Sequence, residues 1–152
     1  KKIPSSKNII LCDNMKLDEE IISIYKNYIL KKKKSSKIVL VTISSYSKSK
    51  TVLKQLQDYT KKLSTFLPVN SFYFCFYGRE KDVLKKIKVA KNKSNLDLII
   101  HPIFLFSGYL YKESKKKFEN LGFKNTISTQ PFFHEKKVKD LFARRVSKAL
   151  NS

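Results

Sequence analysis

Short apolar segments rich in β-branched residues alternate with segments of helical periodicity along the chain. The segments predicted to form strands are 7–12, 37–44, 69–77, 97–105 and 124–129. In the intervals apolar side chains recur every three or four residues, most clearly at Val52, Leu56, Tyr59 and Leu63. Strands separated by helices pair in parallel within a sheet that helices cover on both faces. The alternation therefore predicts an α/β fold, a flavodoxin-like three-layer sandwich with a mainly parallel four-stranded sheet.

An internal repeat indicates how the chain is divided. The sequence KNIILCDNMKLDEEIISIYKNYILKKK, from Lys7, aligns without a gap on KNTISTQPFFHEKKVKDLFARRVSKAL, from Lys124. In both copies an apolar strand leads, through a connector of equal length, to a helix whose apolar face has the same phase. We predict that residues 1–36 are the strand and last helix of a preceding repeat plus a linker, and that 37–152 form one complete domain. Either the chain is a fragment of a two-repeat protein, or its first helix packs against the complete domain as an added layer.

The formal net charge of +21 would suit a polyanionic partner, such as nucleic acid, an anionic membrane or a small polyanion. Nearly all of this charge is lysine, whereas phosphate and base recognition favours arginine, present only as Arg79, Arg144 and Arg145. A lysine-rich composition explains the charge better than a nucleic-acid surface, since no nucleic-acid-binding motif occurs. Cys12 and Cys75 form no C-x-x-C pair, and no apolar run approaches the roughly 18 residues of a membrane span. We expect a soluble protein of a reducing compartment.

Three segments of the complete domain carry a family resemblance. They are KIVLVTISSYSKSKTVLKQLQDYTKKL from Lys37, DLIIHPIFLFSGYLYKES from Asp97, and QPFFHEKKVKDLFARRVSKAL from Gln130. In these segments the chain resembles the sirohydrochlorin chelatases, a family of class II tetrapyrrole metal chelatases, and the PIFLFSG block is the most specific part. The resemblance implies a chelatase-like fold that acts on an anionic tetrapyrrole, with Fe²⁺ or Co²⁺ as the substrate metal and no prosthetic group.

The two histidines that the resemblance leads us to expect are replaced. The first, in the turn after the first strand, falls on Ile43, and the second falls on Leu110, two residues after Gly108. Neither aliphatic side chain has a lone pair with which to hold a divalent ion or accept a pyrrole proton. The resemblance therefore implies either the noncatalytic half of a duplicated chelatase or a copy that works with substitute residues, and whether the chain is an enzyme stays open.

Substitute residues are expected at the carboxyl ends of the strands, where parallel sheets bind their ligands. His101 is the candidate metal ligand and, with Glu113, a candidate catalytic residue. The candidate substrate-binding residues, with lysines to face the carboxylates of a tetrapyrrole, are Ser44, Ser45, Lys48, Ser107, Gly108 and Lys112.

Each candidate also suits a structural role. His101 precedes Pro102 in an apolar strand, which is typical of a hydrogen-bonded core histidine. Glu113 suits the start of a helix capped by Ser107, and the paired serines suit a simple turn. The aromatic side chains of 72–77 are interpreted as strand core rather than as a platform for a macrocycle.

Three functions are compatible with these residues. The preferred one is a sirohydrochlorin-type chelatase or the noncatalytic half of one. The alternative is a degenerate chelatase-like domain that binds a tetrapyrrole or a partner protein without catalysis, and a basic nucleic-acid-binding domain ranks third. The expected partners are an anionic tetrapyrrole and either the missing first repeat or a second chain in a homodimer, with no membrane or nucleic acid. Tetrapyrrole metabolism would place the chain in the cytoplasm or a plastid-like organelle.

Overall fold

The computed structural model describes residues 17–151 as one sheet with helices on both faces. Two single-turn 3₁₀ helices, Lys93–Asn95 and Phe132–His134, interrupt the connections. The helices and strands are, in chain order, α1 (Glu19–Lys32), β1 (Lys37–Ser44), α2 (Lys50–Thr65), β2 (Val69–Phe76), α3 (Lys81–Lys88), β3 (Leu96–Ile103), α4 (Tyr109–Lys116), β4 (Asn125–Ser128) and α5 (Lys136–Leu150).

The four strands lie in the order β2-β1-β3-β4, and every neighbouring pair is parallel. The predicted α/β sandwich with a four-stranded parallel sheet is thus confirmed. Each predicted strand from residue 37 onward lies within two residues of its observed bounds, and β1 coincides with the prediction. The predicted strand 7–12 lies outside the described residues.

Two apolar clusters fill the space on the two faces of the sheet, because successive strand residues point to opposite faces. Ile38 and Leu40 of β1 pack with α1, α2 and α5, whereas Val39 and Val41 pack with α3 and with Phe118 beyond α4. The central strands are buried almost throughout, which explains their continuous apolar sequences.

The helix α1 belongs to the same core as the sheet. Ile21, Tyr25 and Ile29 are fully buried, in one cluster with residues of β1, α2 and α5. At its start Asp18 accepts hydrogen bonds from the N–H groups of Glu20 and Ile21, as an N-cap does. Within the described residues, α1 therefore lies in the same layer as α2 and α5 and completes the cover of this face.

The segment between α1 and β1 is fastened to β3 by one buried carboxylate. Asp97 accepts hydrogen bonds from the backbone N–H groups of Lys34 (2.6 Å) and Ser35 (2.9 Å), from the Ser35 hydroxyl (2.8 Å) and from the Asn125 amide (2.7 Å). Burial raises the pKa of Asp97, but the hydrogen bonds from Asn125, Ser35 and Lys34 outweigh it and lower the pKa to about 2. The carboxylate is thus held ionised.

The aromatic strand β2 differs from the prediction. It lies at the edge of the sheet, and its side chains are mostly half-buried, with Phe72 exposed over 42% of its surface. Only its last two residues, Cys75 and Phe76, are buried. The interpretation of the aromatic group as strand core was therefore right only for the end of the strand.

Candidate functional site

The topology has a switch point between β1 and β3, and we call the space at the carboxyl ends of these two strands the crevice. These strands are neighbours, with Ser44 beside Ile103, but β1 leads through α2 to β2 on one side and β3 leads through α4 to β4 on the other. The two connections therefore diverge from the space between the strands, which is where open parallel sheets bind ligands. The crevice is bordered by residues 45–49 and 104–108.

Most of the predicted substrate-binding residues lie at this edge. Ser45 follows β1, Lys48 lies in the same loop, and Ser107 and Gly108 come directly before α4; all four are exposed. Lys112 is exposed on α4. These residues border the crevice as an accessible, partly cationic rim.

Ser44 and the helix cap depart from this pattern. Ser44 is buried at the end of β1, and its hydroxyl donates to the carbonyl of Ser45 (3.0 Å), as a turn-forming serine does. Gly108, not Ser107, is the N-cap of α4, and it has no side chain with which to cap the helix. The sequence-based assignment of the cap to Ser107 was therefore wrong by one residue.

Two aromatic pairs flank the crevice, and the sequence reasoning did not single them out. On the β2 side the Arg79 guanidinium lies over the Tyr46 ring, 4.0 Å from its centroid. On the β4 side Phe106 stacks on Phe133, with ring centroids 5.2 Å apart. Phe106 and the adjacent Tyr109 are exposed over 63% and 71% of their surfaces. Large exposed aromatic side chains in one place are typical of a binding surface.

The amino ends of α2 and α4 both lie at the same edge of the sheet as the crevice. Each helix follows a strand of the parallel sheet and begins at its carboxyl edge, α2 at Lys50 and α4 at Tyr109. The first-turn N–H groups of a helix carry partial positive charge and favour anions. Ser49 caps α2, whereas Gly108 leaves the first turn of α4 without a side-chain cap. The edge therefore favours anionic groups even without its lysines.

His101 is enclosed within the core behind this edge. It is fully buried, with Nε2 2.7 Å from the Tyr59 hydroxyl and Nδ1 2.6 Å from the Thr129 hydroxyl. The Tyr25 ring packs against the imidazole, with centroids 4.3 Å apart. Burial lowers the pKa of His101 to about 3, so the ring is neutral. Because both nitrogens are hydrogen-bonded, the geometry favours the core-histidine interpretation, and metal binding would require one of these bonds to break.

The two positions where the family resemblance leads us to expect histidine lie in different surroundings. Ile43 is fully buried in the α3-side cluster, whereas Leu110 is exposed in the first turn of α4. Neither side chain can donate to a metal. Among residues 17–151 no group of three or more histidine, cysteine, aspartate or glutamate side chains is placed to hold a metal ion.

Two carboxylates lie near the edge, and both are paired with lysine. Glu113 is half-buried on α4 and accepts from Lys116 Nζ at 3.0 Å. Glu80, which the sequence reasoning missed, is buried after β2 and paired with Lys117, and its Oε2 has no hydrogen-bond partner within the described structure. Burial raises the pKa of Glu80, but the hydrogen bond from Lys117, backbone hydrogen bonds and the positive charge of that lysine together outweigh it, and the pKa is lowered. A carboxylate held ionised in this way is a weak base.

Comparison with known proteins identifies the fold. No protein-family model matches the sequence, and no curated protein matches it. Among solved structures, the chain is similar to SirB from Bacillus subtilis with Fe³⁺, with a TM-score of 0.71 and 20% identity, over 89% of this chain and 55% of that one. It is also similar to the sirohydrochlorin chelatase SirB from Bacillus subtilis subspecies spizizenii in complex with cobalt, with a TM-score of 0.65 and 19% identity, over 90% of this chain and 53% of that one.

These similarities define a chelatase-like, flavodoxin-type fold. The expectation of such a fold is therefore confirmed. The chain spans about half the length of the two SirB structures that it matches. No helix among residues 17–151 is both long and apolar enough to span a bilayer.

Proposed function

We propose that this chain binds an anionic tetrapyrrole at the carboxyl edge of its sheet, as the noncatalytic half of a sirohydrochlorin-type chelatase, the half that lacks the two expected histidines. The observation that carries the proposal is the crevice between β1 and β3, which combines exposed aromatic rings with a cationic rim. Aromatic faces suit a planar macrocycle, and lysine, arginine and helix amino ends suit its peripheral carboxylates. The similarity to SirB structures, of which this chain covers 55% and 53%, supports the role of one half.

The metal would be a substrate held mainly by the other half. On the described part of this chain the crevice carries no cluster of metal-binding side chains, and Ile43 and Leu110 occupy the two positions where the family resemblance leads us to expect histidine. Metal insertion by this chain alone would instead use His101 as the ligand and Glu113 as the proton acceptor. That reaction requires His101 to leave Tyr59 or Thr129, and Glu113 to leave Lys116.

Titration of the chain with sirohydrochlorin, followed by absorbance, tests the binding site. Reversing the rim charges in the double variant Lys48→Glu/Lys112→Glu should weaken binding by about tenfold or more, since each lost cation–carboxylate contact contributes up to about 1 kcal/mol. The matched control is Lys85→Glu/Lys86→Glu, which changes the net charge equally on the exposed surface of α3 near its carboxyl end. Equal effects of the two variants would contradict a site at the crevice.

Addition of Fe²⁺ or Co²⁺ to the same titration tests catalysis. We expect binding of sirohydrochlorin without insertion of metal, both in the unaltered chain and in His101→Ala. Insertion by the unaltered chain that disappears in a folded His101→Ala variant would instead make this copy catalytic through a substitute ligand. Titration with an oligonucleotide and with sirohydrochlorin, each across a series of salt concentrations, tests for a nucleic-acid-binding domain. Such a domain would bind the oligonucleotide more tightly than the tetrapyrrole, with an affinity that falls steeply with salt.

A further inference from the structure

The edge strand β2 lies in the longest uncharged segment of a highly charged chain. Charged residues make up 30% of the sequence, yet none occurs between Leu63 and Gly78. Uncharged, apolar sequences are expected in central strands, but edge strands usually carry lysine, proline or a very short ladder that prevents pairing with another chain. The opposite edge, β4, is protected in this way, since it has four residues and directly follows Lys124.

Among residues 17–151 no strand pairs with the outer side of β2, so its backbone presents pairing groups along most of its length. A bulge interrupts its register near Asn70, and the six residues from Ser71 to Phe76 pair regularly with β1. Tyr77 donates its N–H to the Ser44 carbonyl of β1. Because alternate residues of a strand direct their N–H and C=O groups to opposite sides, Phe72 and Phe74 direct theirs away from the sheet.

Exposed aromatic side chains accompany these backbone groups. Phe72 is 42% exposed on the edge, and Phe66, at the end of α2, is 52% exposed. Phe74 and Phe76 lie on the same face of the strand as Phe72, with their ring centroids 5.1 Å apart. Within the part of the chain that the structure describes, the edge thus combines unpaired backbone groups, apolar surface and a lack of charge.

We infer that β2 pairs with β2 of a second copy of this chain, in an antiparallel arrangement that joins two four-stranded sheets into one of eight strands. Centred on Phe74, such a pair sets Phe72 of each copy opposite Phe76 of the other, and cross-strand aromatic pairs of this kind stabilise sheets. Antiparallel pairing about a two-fold axis is self-complementary, because each copy supplies the groups that the other lacks.

The charge of the chain favours a second copy at this surface. Each copy has a formal charge of +21, so two copies repel wherever their lysines meet, and the segment from Leu63 to Gly78 is the longest without any charged residue. A strongly acidic partner would find no lysine on this strand to contact. A second copy of β2 would pair through backbone groups and needs no lysine. The inference does not depend on the proposed tetrapyrrole site, since that site lies at the carboxyl edge of the sheet.

Sedimentation equilibrium of the whole chain, from about 5 to 200 μM, tests the inference. We expect the unaltered chain to form a reversible dimer. The variant Phe72→Lys should instead have the mass of one chain, 17.8 kDa, at every concentration. Val89→Lys is the matched control, because it adds the same charge at an exposed apolar residue (79%) away from the edge and should leave the dimer intact. Added salt should strengthen the dimer, by about threefold or more between 50 and 500 mM, because it screens the repulsion between the two copies.

Hydrogen exchange of the unaltered chain supplies a second measurement that needs no variant. The amides of Phe72 and Phe74 should become protected as the concentration rises, whereas the amide of Tyr77, bonded to β1, should be equally protected throughout. A chain that stays monomeric at 200 μM, or a dimer that Phe72→Lys leaves unchanged, would overturn the inference.

Discussion

At the scale of single residues, His101 has an imidazole that could act in catalysis, but its hydrogen bonds and burial suit a structural role. A neutral imidazole with both nitrogens bonded to hydroxyls satisfies every polar atom that it brings into the core. The aromatic rings of Tyr25 and Tyr59 exclude water from the imidazole and disfavour its charged form. His101 therefore links α2, β3 and the segment after β4 into one hydrogen-bonded unit behind the crevice.

This environment predicts how stability depends on pH. In the unfolded chain the pKa of a histidine is about 6.5, whereas burial lowers the pKa of His101 in the folded chain to about 3. As the pH falls below 6.5 the unfolded state gains a proton that the folded state does not, so the free energy of unfolding should fall by about 1.4 kcal/mol per pH unit. Urea unfolding between pH 6.5 and 4.5 checks this, and His101→Gln should flatten the slope. An unchanged slope in that variant would assign the pH dependence to other groups.

The sequence placed His101 in an apolar strand near the carboxyl edge of the sheet but could not identify its partners. Tyr59 and Thr129 lie 42 and 28 residues away along the chain. Both tyrosine and threonine suit many positions in a strand or helix, and only the packing of α2 and β4 around β3 brings their hydroxyls together. The same limitation applies to Arg79 and Tyr46, which meet because the loops after β1 and β2 lie side by side.

At the scale of elements, the connection between α1 and β1 depends on Asp97. Its carboxylate accepts four hydrogen bonds from residues 34, 35 and 125 in a site closed to solvent. Asp97→Asn replaces one acceptor oxygen by an NH₂ group that faces donors, and we expect the free energy of unfolding to fall by about 2–4 kcal/mol. Urea unfolding at pH 7 measures the loss, and Asp82→Asn, on the exposed surface of α3, is the control. Equal, small effects would show that the connection has little bearing on stability.

The packing of α1 predicts that it unfolds with the rest of the domain. Ile21→Ala removes a fully buried side chain from the cluster shared with the sheet, and such truncations cost about 2–5 kcal/mol. We expect one cooperative transition at lower denaturant concentration, followed by circular dichroism and by tyrosine fluorescence. A separate early transition for the helix would indicate that α1 is an added layer whose loss leaves residues 37–151 folded.

Elements could be predicted from this sequence more reliably than their places in the sheet. Continuous apolar segments located β1 and β3, and helical periodicity located α2, within a few residues, because burial imposes those patterns directly. Whether a strand is central or at an edge depends on the direction in which each helix crosses the sheet, and no local pattern records that direction. The apolar, aromatic β2 therefore suggested a core strand and proved to be an exposed edge.

At the scale of the whole molecule, ion pairs cannot neutralise the excess of positive charge. Thirty-three lysine and arginine residues face twelve acidic ones, so most cations have no acidic partner even if every carboxylate is paired. Some of the carboxylates that do pair, such as Glu80, are buried and face a single lysine. Repulsion among the remaining cations is stronger in the compact folded state than in the expanded unfolded one, and it therefore lowers stability.

Screening of this repulsion should stabilise the fold. Raising NaCl from about 20 to about 300 mM shortens the range of the repulsion between charges, and we expect a gain of about 1–2 kcal/mol, or a few degrees in the midpoint of thermal unfolding. Lys85→Glu/Lys86→Glu should raise the midpoint at low salt and reduce its salt dependence, because it lowers the net positive charge without altering the core. Calorimetry on both proteins, at a concentration where each is monomeric, separates this effect from dimer formation. A midpoint that falls with salt would mean that specific attractions outweigh the net repulsion. The effect of the lysines on stability would then depend on their positions rather than on their number.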